Sequence, residues 1–419
     1  MKKALPIIIA IIISSLLIFY RFTQIPKYLA FDEIEFTKLA LSLDGKPYAP
    51  YSLSATGHST LYFYVLLASL KTFGVNVFAL RLPSAIFGIF STLIFYLIIR
   101  GLKNYELRIK NYNILPFLSA FIFLTSRWFI NFSRFSFEAT FLLFLELSSI
   151  YFVFKCFKTL KWHYLVLSGL FAGLAFNSYT PGRFFFLLPL GFLAFKLVNS
   201  LTRKQFNNLA IKQLFLFFIP FLITILPLII SLSSIKDTRI DQLFFWRNHE
   251  MTIKQKVDGT IQNVSSLTLM FFYKGDMNGR HNYPGKPALN PIMFGLFLLG
   301  LIYSIKNYRK NFHFLFFTFY FLLSLAPSIP IYPWENPSML RTFTAIPSIV
   351  YFIGQGIVAL LSLSRKSITT IIVVLVLFSS FYELRTYFKY QSKVFDSSFE
   401  IKYPLEKAIK MKNVYEKNN

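Results

Sequence analysis

Thr60-Leu61-Tyr62-Phe63-Tyr64-Val65-Leu66-Leu67-Ala68-Ser69-Leu70-Lys71-Thr72-Phe73 is apolar enough to enter a bilayer and short for crossing one. A transmembrane helix needs roughly 20 residues. Whether this run crosses decides the orientation of every loop after it. Suppose it stays on the surface. The cytoplasmic segments are then the N-terminus and residues 100–112, 155–163, 196–212, 306–313 and 365–366. They carry eighteen basic residues (Lys2, Lys3, Arg100, Lys103, Arg108, Lys110, Lys155, Lys158, Lys161, Lys196, Arg203, Lys204, Lys212, Lys306, Arg309, Lys310, Arg365 and Lys366) against one acid, Glu106. If the run crosses, these short basic loops turn outward. The excess of Lys and Arg in cytoplasmic loops favours a surface helix.

The rest of the chain has the composition of a membrane protein. Of 419 residues, 55% are hydrophobic and 53 are Phe, and the mean hydropathy is +0.53. The apolar runs predict an all-α polytopic membrane protein with about eleven spans. They fall at 4–22, 79–100, 113–131, 136–157, 163–179, 183–198, 212–232, 290–305, 312–326, 342–363 and 367–386. The first follows Lys2-Lys3 and lacks a small-residue cleavage site, so it is expected to be retained rather than removed as a signal peptide. The N-terminus is then inside and the C-terminus outside. The net charge of +26 sits mostly between spans, where it meets anionic headgroups. It predicts membrane lipid as a partner and no nucleic acid. Cys156 is the sole cysteine, which excludes an intramolecular disulfide.

Three long polar pieces are expected on the outer face: 23–78, 233–289 and the Pro-rich turn 327–341. The expected organisation is a membrane module over 1–232 with a catalytic first loop at 23–78, an outer-face region at 233–289, further membrane helices over 290–387, and a basic tail at 388–419. The two halves show no repeat of the kind inverted-repeat transporters carry.

Phe31-Asp32-Glu33-Ile34-Glu35-Phe36 puts three of the chain's eighteen acidic residues just past the first span. A paired Asp32-Glu33 at a membrane surface suits a general base acting on a lipid-carried substrate. The plainer reading is a capping box, with Asp32 as N-cap and Glu35 three residues on. Phe36, Leu39, Ala40 and Leu43 then mark an amphipathic helix. His58 precedes the surface helix and is placed to meet a phosphate there, or is structural. Arg134 lies four residues before Glu138, in the spacing of a helical ion pair, or is a phosphate ligand. Glu146 lies at mid-span and needs a partner. The turn Tyr179-Thr180-Pro181-Gly182-Arg183 offers one Arg to headgroups. Lys274-Gly275-Asp276-Met277-Asn278-Gly279-Arg280-His281-Asn282-Tyr283-Pro284-Gly285 is a tight loop that gathers Asp276, Arg280 and His281. Arg280 and His281 are candidates for a phosphate or diphosphate, an ordinary surface turn being the alternative. Arg341 closes Pro333-Trp334-Glu335-Asn336-Pro337-Ser338-Met339-Leu340, at a membrane boundary where it either snorkels to headgroups or closes an anionic lipid pocket. No His-x-x-x-His spacing is present, so no metal site is predicted. A divalent cation shared by Asp32, Glu33 and His58 is left open.

Taken in order, Asp32-Glu33, the His58–Tyr64 stretch with Phe73-Gly74-Val75, Ala79-Leu80-Arg81-Leu82-Pro83-Ser84, Ser133-Arg134 with Glu138, and Ser168-Gly169-Leu170 with Gly173-Leu174-Ala175-Phe176 resemble the bacterial members of the protein O-mannosyltransferase superfamily. That group includes the aminoarabinose transferase that modifies lipid A. The resemblance covers about half the chain. It departs where the family has two prolines after the histidine and this chain has Ser59-Thr60. Tyr332-Pro333-Trp334-Glu335 does not match the Trp-Trp-Asp signature of oligosaccharyltransferases. The resemblance implies a GT-C type glycosyltransferase of the cytoplasmic membrane. Such an enzyme takes a sugar from a polyprenyl-phosphate carrier at the outer face and passes it, with inversion, to a protein, lipid or glycan acceptor. It implies surface helices in the first outer loop. The chemistry needs a base for the acceptor hydroxyl and cations for the phosphate. Asp32 is the expected base, with Glu33 assisting. His58, Arg134, Arg280 and Arg341 are the candidates for the phosphate, with Glu138, Asp276 and His281 in support. Two other activities compete: a polysaccharide ligase or polymerase using diphosphate-linked glycans, and a sugar-lipid flippase.

Overall fold

The computed structural model describes residues 5–106, 114–202, 208–235, 242–307, 312–363 and 366–418. Of the topogenic basic residues, Lys2, Lys3, Arg108, Lys110, Arg203, Lys204, Arg309, Lys310 and Arg365 lie outside the described residues.

The chain is helical almost throughout, with one two-stranded ribbon. Helix α1 (Leu5–Phe19) leads into α2 (Phe31–Ser42). The short antiparallel strands β1 (Tyr51–Ser52) and β2 (His58–Ser59) follow, and then α3 (Leu61–Phe73). At about 1.5 Å per residue, the 13 residues of α3 rise about 20 Å, less than the hydrocarbon thickness. Lys71 near its end pairs with Asp44 at 2.8 Å, just past α2. The helix therefore turns back beside α2, as a surface pair would. Phe36, Leu39, Ala40 and Leu43 are all buried, as their spacing predicts.

Among the described residues, six helices are long and apolar enough to cross a membrane: Val77–Leu102, Ala139–Thr159, Thr180–Val198, Ile211–Ser234, Phe343–Leu361 and Ser367–Ser398. The predicted span 113–131 is instead a broken pair. Leu115–Thr125 (α5) and Arg127–Ser133 (α6) meet at 62°. The remaining predicted spans are shorter apolar helices: Leu5–Phe19, His163–Phe176, Pro291–Lys306 and His313–Ser328. The helices thus fall where the hydropathy puts them, while length alone does not reach eleven.

Between spans, contact is made backbone to backbone. Lipid tails give no hydrophobic drive for helix association, so small residues that permit close approach carry it. In the pair Pro291–Lys306 and Ile346–Leu361, a Cβ at Gly300 would lie 1.8 Å from the Phe352 carbonyl oxygen. A Cβ at Gly356 would lie 2.1 Å from that of Leu296. Gly300→Val is expected to force these two helices apart and cost about 1–3 kcal/mol or more. A lowered thermal unfolding midpoint in detergent, with no change in the outer-loop ion pairs, is the check.

The polar pieces gather at one end of the bundle. Leu29 bridges to Ile401 of the tail, and Phe244 to Ile331 of the Pro-rich turn. Lys412 pairs with Glu35 of α2 and lies 3.7 Å from the Phe31 ring centroid. The helix Ile253–Leu269 starts at a capping box of Thr252 and Gln255. It fixes the turn through Asn263, which donates to the carbonyls of Ile329 and Ile331.

Candidate active site

Helix α2 begins one residue after Ala30, not at Asp32. Ala30 N–H donates to Glu33 Oε2 at 3.1 Å, so Glu33 is the acid that reaches back. The predicted capping box of Asp32 and Glu35 does not form; Glu35 serves the tail through Lys412. This assignment separates the two neighbouring carboxylates. Glu33 is fully buried and accepts from Arg81 Nε at 2.8 Å and Nη2 at 2.9 Å. Ser136 N–H adds a 3.3 Å contact. Arg81 spends its remaining donors on the carbonyls of Pro26 (2.6 Å) and Tyr28 (2.8 Å). A bidentate pair this well satisfied clamps the start of α4 (Val77–Glu106) to the first loop. Glu33 is thereby enclosed by protein donors and does not face a cavity.

Asp32 points the other way, its side chain 38% exposed. Its Oδ2 accepts from Arg280 Nη1 at 2.5 Å, across 248 residues of sequence. The two best sequence signals, the first loop and the Lys274–Gly285 loop, therefore meet in space.

The second loop is built rigidly. Gly275 N–H donates to the Gly285 carbonyl, Gly285 N–H donates to that of Asp276, and Gly285 takes a positive φ of 73° that favours glycine. Buried Asn282 donates to the carbonyls of Asp276 (2.9 Å) and Lys286 (2.8 Å). Arg127, on α6, donates to Asn282 Oδ1 at 3.0 Å and to the Pro287 carbonyl at 2.9 Å. It also pairs with Glu383 at 3.2 Å. Asn131 holds the carbonyls of Arg280 and His281. The 62° break between α5 and α6 is what aims Arg127 and Asn131 at this loop. Asp276, almost wholly buried, accepts from Asn278 N–H and Met339 N–H, each at 2.8 Å. Its Oδ2 lies 3.0 Å from His281 Nδ1.

Asp276, His281 and Arg341 line one cavity of about 460 Å³, with Thr56, Tyr179 and Trp334 among its other walls. Arg341 is held at the rim by Glu335, at 2.7 Å from Nη2. His58 stands close by in sequence to Thr56 but is buried. Its Nδ1 lies 2.9 Å from Glu138 Oε1, and the edges of Phe36 and Phe63 pack on its ring.

Two sequence-based pairings are revised by this geometry. Arg134 does not pair with Glu138. It is buried, and its guanidinium donates to the carbonyls of Leu17, Ile18, Arg21 and Ile25 at the end of α1. It holds the first span in place and lies away from the cavity lining. Asp32, Glu33 and His58 do not converge on a common point, since each has a separate partner. Among the described residues, no group of three His, Cys, Asp or Glu side chains is placed to hold a metal ion. Mid-span Glu146 finds its partner in Tyr320, whose hydroxyl donates to it at 2.6 Å. The residue that sequence reasoning left without a role is Arg81. A guanidinium inside an apolar run was its signal, because such a charge needs a partner.

Residues 57–224 match the family described as dolichyl-phosphate-mannose-protein mannosyltransferase. No curated protein matches the chain in a sequence search. Two solved structures share the fold. One is ArnT from Cupriavidus metallidurans in the apo state, with TM-score 0.53 and 12% identity over 85% of this chain and 60% of that one. The other is the Archaeoglobus fulgidus oligosaccharyltransferase tethered with an acceptor peptide, with TM-score 0.53 and 13% identity over 92% of this chain and 54% of that one. The chain thus spans little more than half the length of the solved proteins it matches. At these identities the likeness is one of fold, and the family match lies on the segment that carries His58, Arg81 and Glu138. The chain is thus similar to the dolichyl-phosphate-mannose-protein mannosyltransferase family over residues 57–224, and it shares the fold of ArnT and of the oligosaccharyltransferase.

Proposed function

We propose that the protein transfers a sugar from a polyprenyl-phosphate donor to an acceptor hydroxyl at the outer face of the cytoplasmic membrane. The observation that carries this reading is the meeting of Asp32 with Arg280, whose chain neighbour His281 lines a polar cavity together with Arg341. The acceptor hydroxyl attacks C1 of the sugar from the side opposite the phosphate. Asp32 takes its proton, and the C1–O bond breaks to release polyprenyl phosphate with inversion. The leaving group is already an anion, so no strong acid is needed. Positive charge at the phosphate is needed instead.

In the resting protein Arg280 pairs with Asp32, Arg341 pairs with Glu335, and His281 Nδ1 contacts Asp276. The first two pairs are partly exposed and individually weak. A donor phosphate competes with a single carboxylate for each arginine. Arg280 that turns to the phosphate leaves Asp32 free to accept a proton. The same group would then both hold the donor and arm the base. Glu33 acts from behind, through Arg81, by fixing the helix that presents Asp32. His58 and Glu138 support the floor of the site. The acceptor is a protein, lipid or glycan hydroxyl.

The test uses purified protein in nanodiscs. Polyprenyl-phosphate mannose, glucose and aminoarabinose are supplied in turn, and release of polyprenyl phosphate is followed. Release from at least one carrier is expected; folded protein that releases none from any carrier would overturn the reading. Arg280→Gln is expected to raise the donor KM by about 10- to 100-fold, the worth of a hydrogen bond to a charged group. An unchanged KM would remove Arg280 from the phosphate.

A further inference from the structure

A second cavity, of about 600 Å³, lies at the other end of the helix bundle. Its walls come from Leu97–Leu102 of α4, from Tyr151–Thr159 at the end of α7 (Ala139–Thr159), from Phe192 and Lys196, and from His313. Helix α4 starts beside Glu33 and α7 starts beside His58 and Glu138. Both run away from the candidate site to this cavity. From Arg81 to Arg100 is roughly 28 Å along α4, a full hydrocarbon thickness. The cavity is thus at the opposite membrane face, which the loop charges place in the cytoplasm.

Its chemistry is one-sided. Arg100, Lys155, Lys158 and Lys196 line it, and no lining residue is acidic. Among the described residues, none of the four forms an ion pair with a carboxylate. Two of the ammonium groups are positioned by aromatic faces. Lys196 Nζ lies 3.2 Å from the Phe157 ring centroid and 5.1 Å from that of Phe192. Lys155 Nζ lies 4.7 Å from the Tyr164 centroid and 5.2 Å from that of Tyr151. Ring faces hold a cation in place without neutralising it. Phe154, Phe157 and Phe192 make the rest of the wall apolar. Fixed, uncompensated positive charge at the top of an apolar recess matches a phosphate joined to acyl or prenyl chains. A fully hydrated anion would gain nothing from the phenylalanines.

We propose that this cavity is a binding site for the phosphate headgroup of an anionic membrane lipid, on the face opposite the candidate active site. The proposal stands apart from the transfer reaction and does not need it. The test is native mass spectrometry of the delipidated full-length protein, titrated separately with phosphatidylglycerol, phosphatidic acid and phosphatidylcholine. Retention of one anionic lipid over phosphatidylcholine is expected. That retention is expected to fall at least about tenfold in Lys155→Gln/Lys196→Gln, since each basic group near a headgroup contributes materially to its binding. Lys407→Gln/Lys410→Gln removes the same charge from the tail and is expected to leave retention unchanged. Equal losses in both double variants would overturn the site in favour of general charge attraction. Displacement of the lipid by inorganic phosphate at matched concentration would overturn it in favour of a free-anion site. Where Lys155→Gln/Lys196→Gln is poorly folded, Arg100→Gln/Lys158→Gln removes the two rim charges and must give the same loss.

Discussion

Asp32→Asn is expected to lower turnover by about two to four orders of magnitude, the usual worth of a general base. The protein should still fold and insert. Asp32 is partly exposed, and so is its ion pair with Arg280. Removing it leaves no buried charge alone, so the stability change should stay within about 1 kcal/mol. The substitution keeps the shape and the ability to accept a hydrogen bond, and removes only the basicity. Donor binding is expected to survive or tighten, because Arg280 is released from a competing carboxylate. The measurement is polyprenyl phosphate release in nanodiscs, with donor binding followed separately. Near wild-type turnover in this variant would end the assignment of Asp32 as base.

One residue along, the outcome inverts. Glu33→Ala is expected to destabilise the protein by about 3–5 kcal/mol, because it strands Arg81 as an uncompensated buried cation. The fully buried side chains, the two short contacts and the two further carbonyls on Arg81 put this pair at the costly end. Thermal unfolding in detergent measures the loss directly. The matched replacement Glu33→Leu/Arg81→Met removes both charges together and is expected to recover much of it. A Glu33→Gln variant with full thermal stability and no turnover would instead place Glu33 in the chemistry.

The contrast between these neighbours shows what sequence alone conveyed. Asp32-Glu33 stood out as a candidate site because carboxylates are scarce in an apolar chain. Which of the two stays partly exposed and which is buried was not legible. That depends on where α2 starts, and its N-cap, Ala30, has no side chain able to signal a helix start. Partners were visible only when local. The Arg134 and Glu138 spacing suggested a pair, yet tertiary contacts gave Arg134 to α1 and Glu138 to His58. Arg280 and Asp32 lie 248 residues apart, beyond any periodicity argument. The break between Thr125 and Arg127 was hidden for a different reason. It occurs inside a largely apolar run whose one proline, Pro116, lies at the start of α5 and not at the break, and such a run has no polar face whose period could slip. For α3, its length and the distant loop charges argue for a surface position. Both are physical constraints of the bilayer rather than local preferences.

The antiparallel bridge of Leu29 with Ile401, and the seat of Lys412 on Phe31 and Glu35, tie the loop after α1 and the start of α2 to residues 401–412. During synthesis these partners emerge at opposite ends of the process. Helix α2 reaches the membrane surface early and waits while the intervening helices are inserted. Only when residues 399–412 arrive can Phe399 pack against the Arg81 guanidinium and Lys412 reach Glu35. A nascent chain that has not reached them leaves the candidate site without these supports, however many helices are already in place.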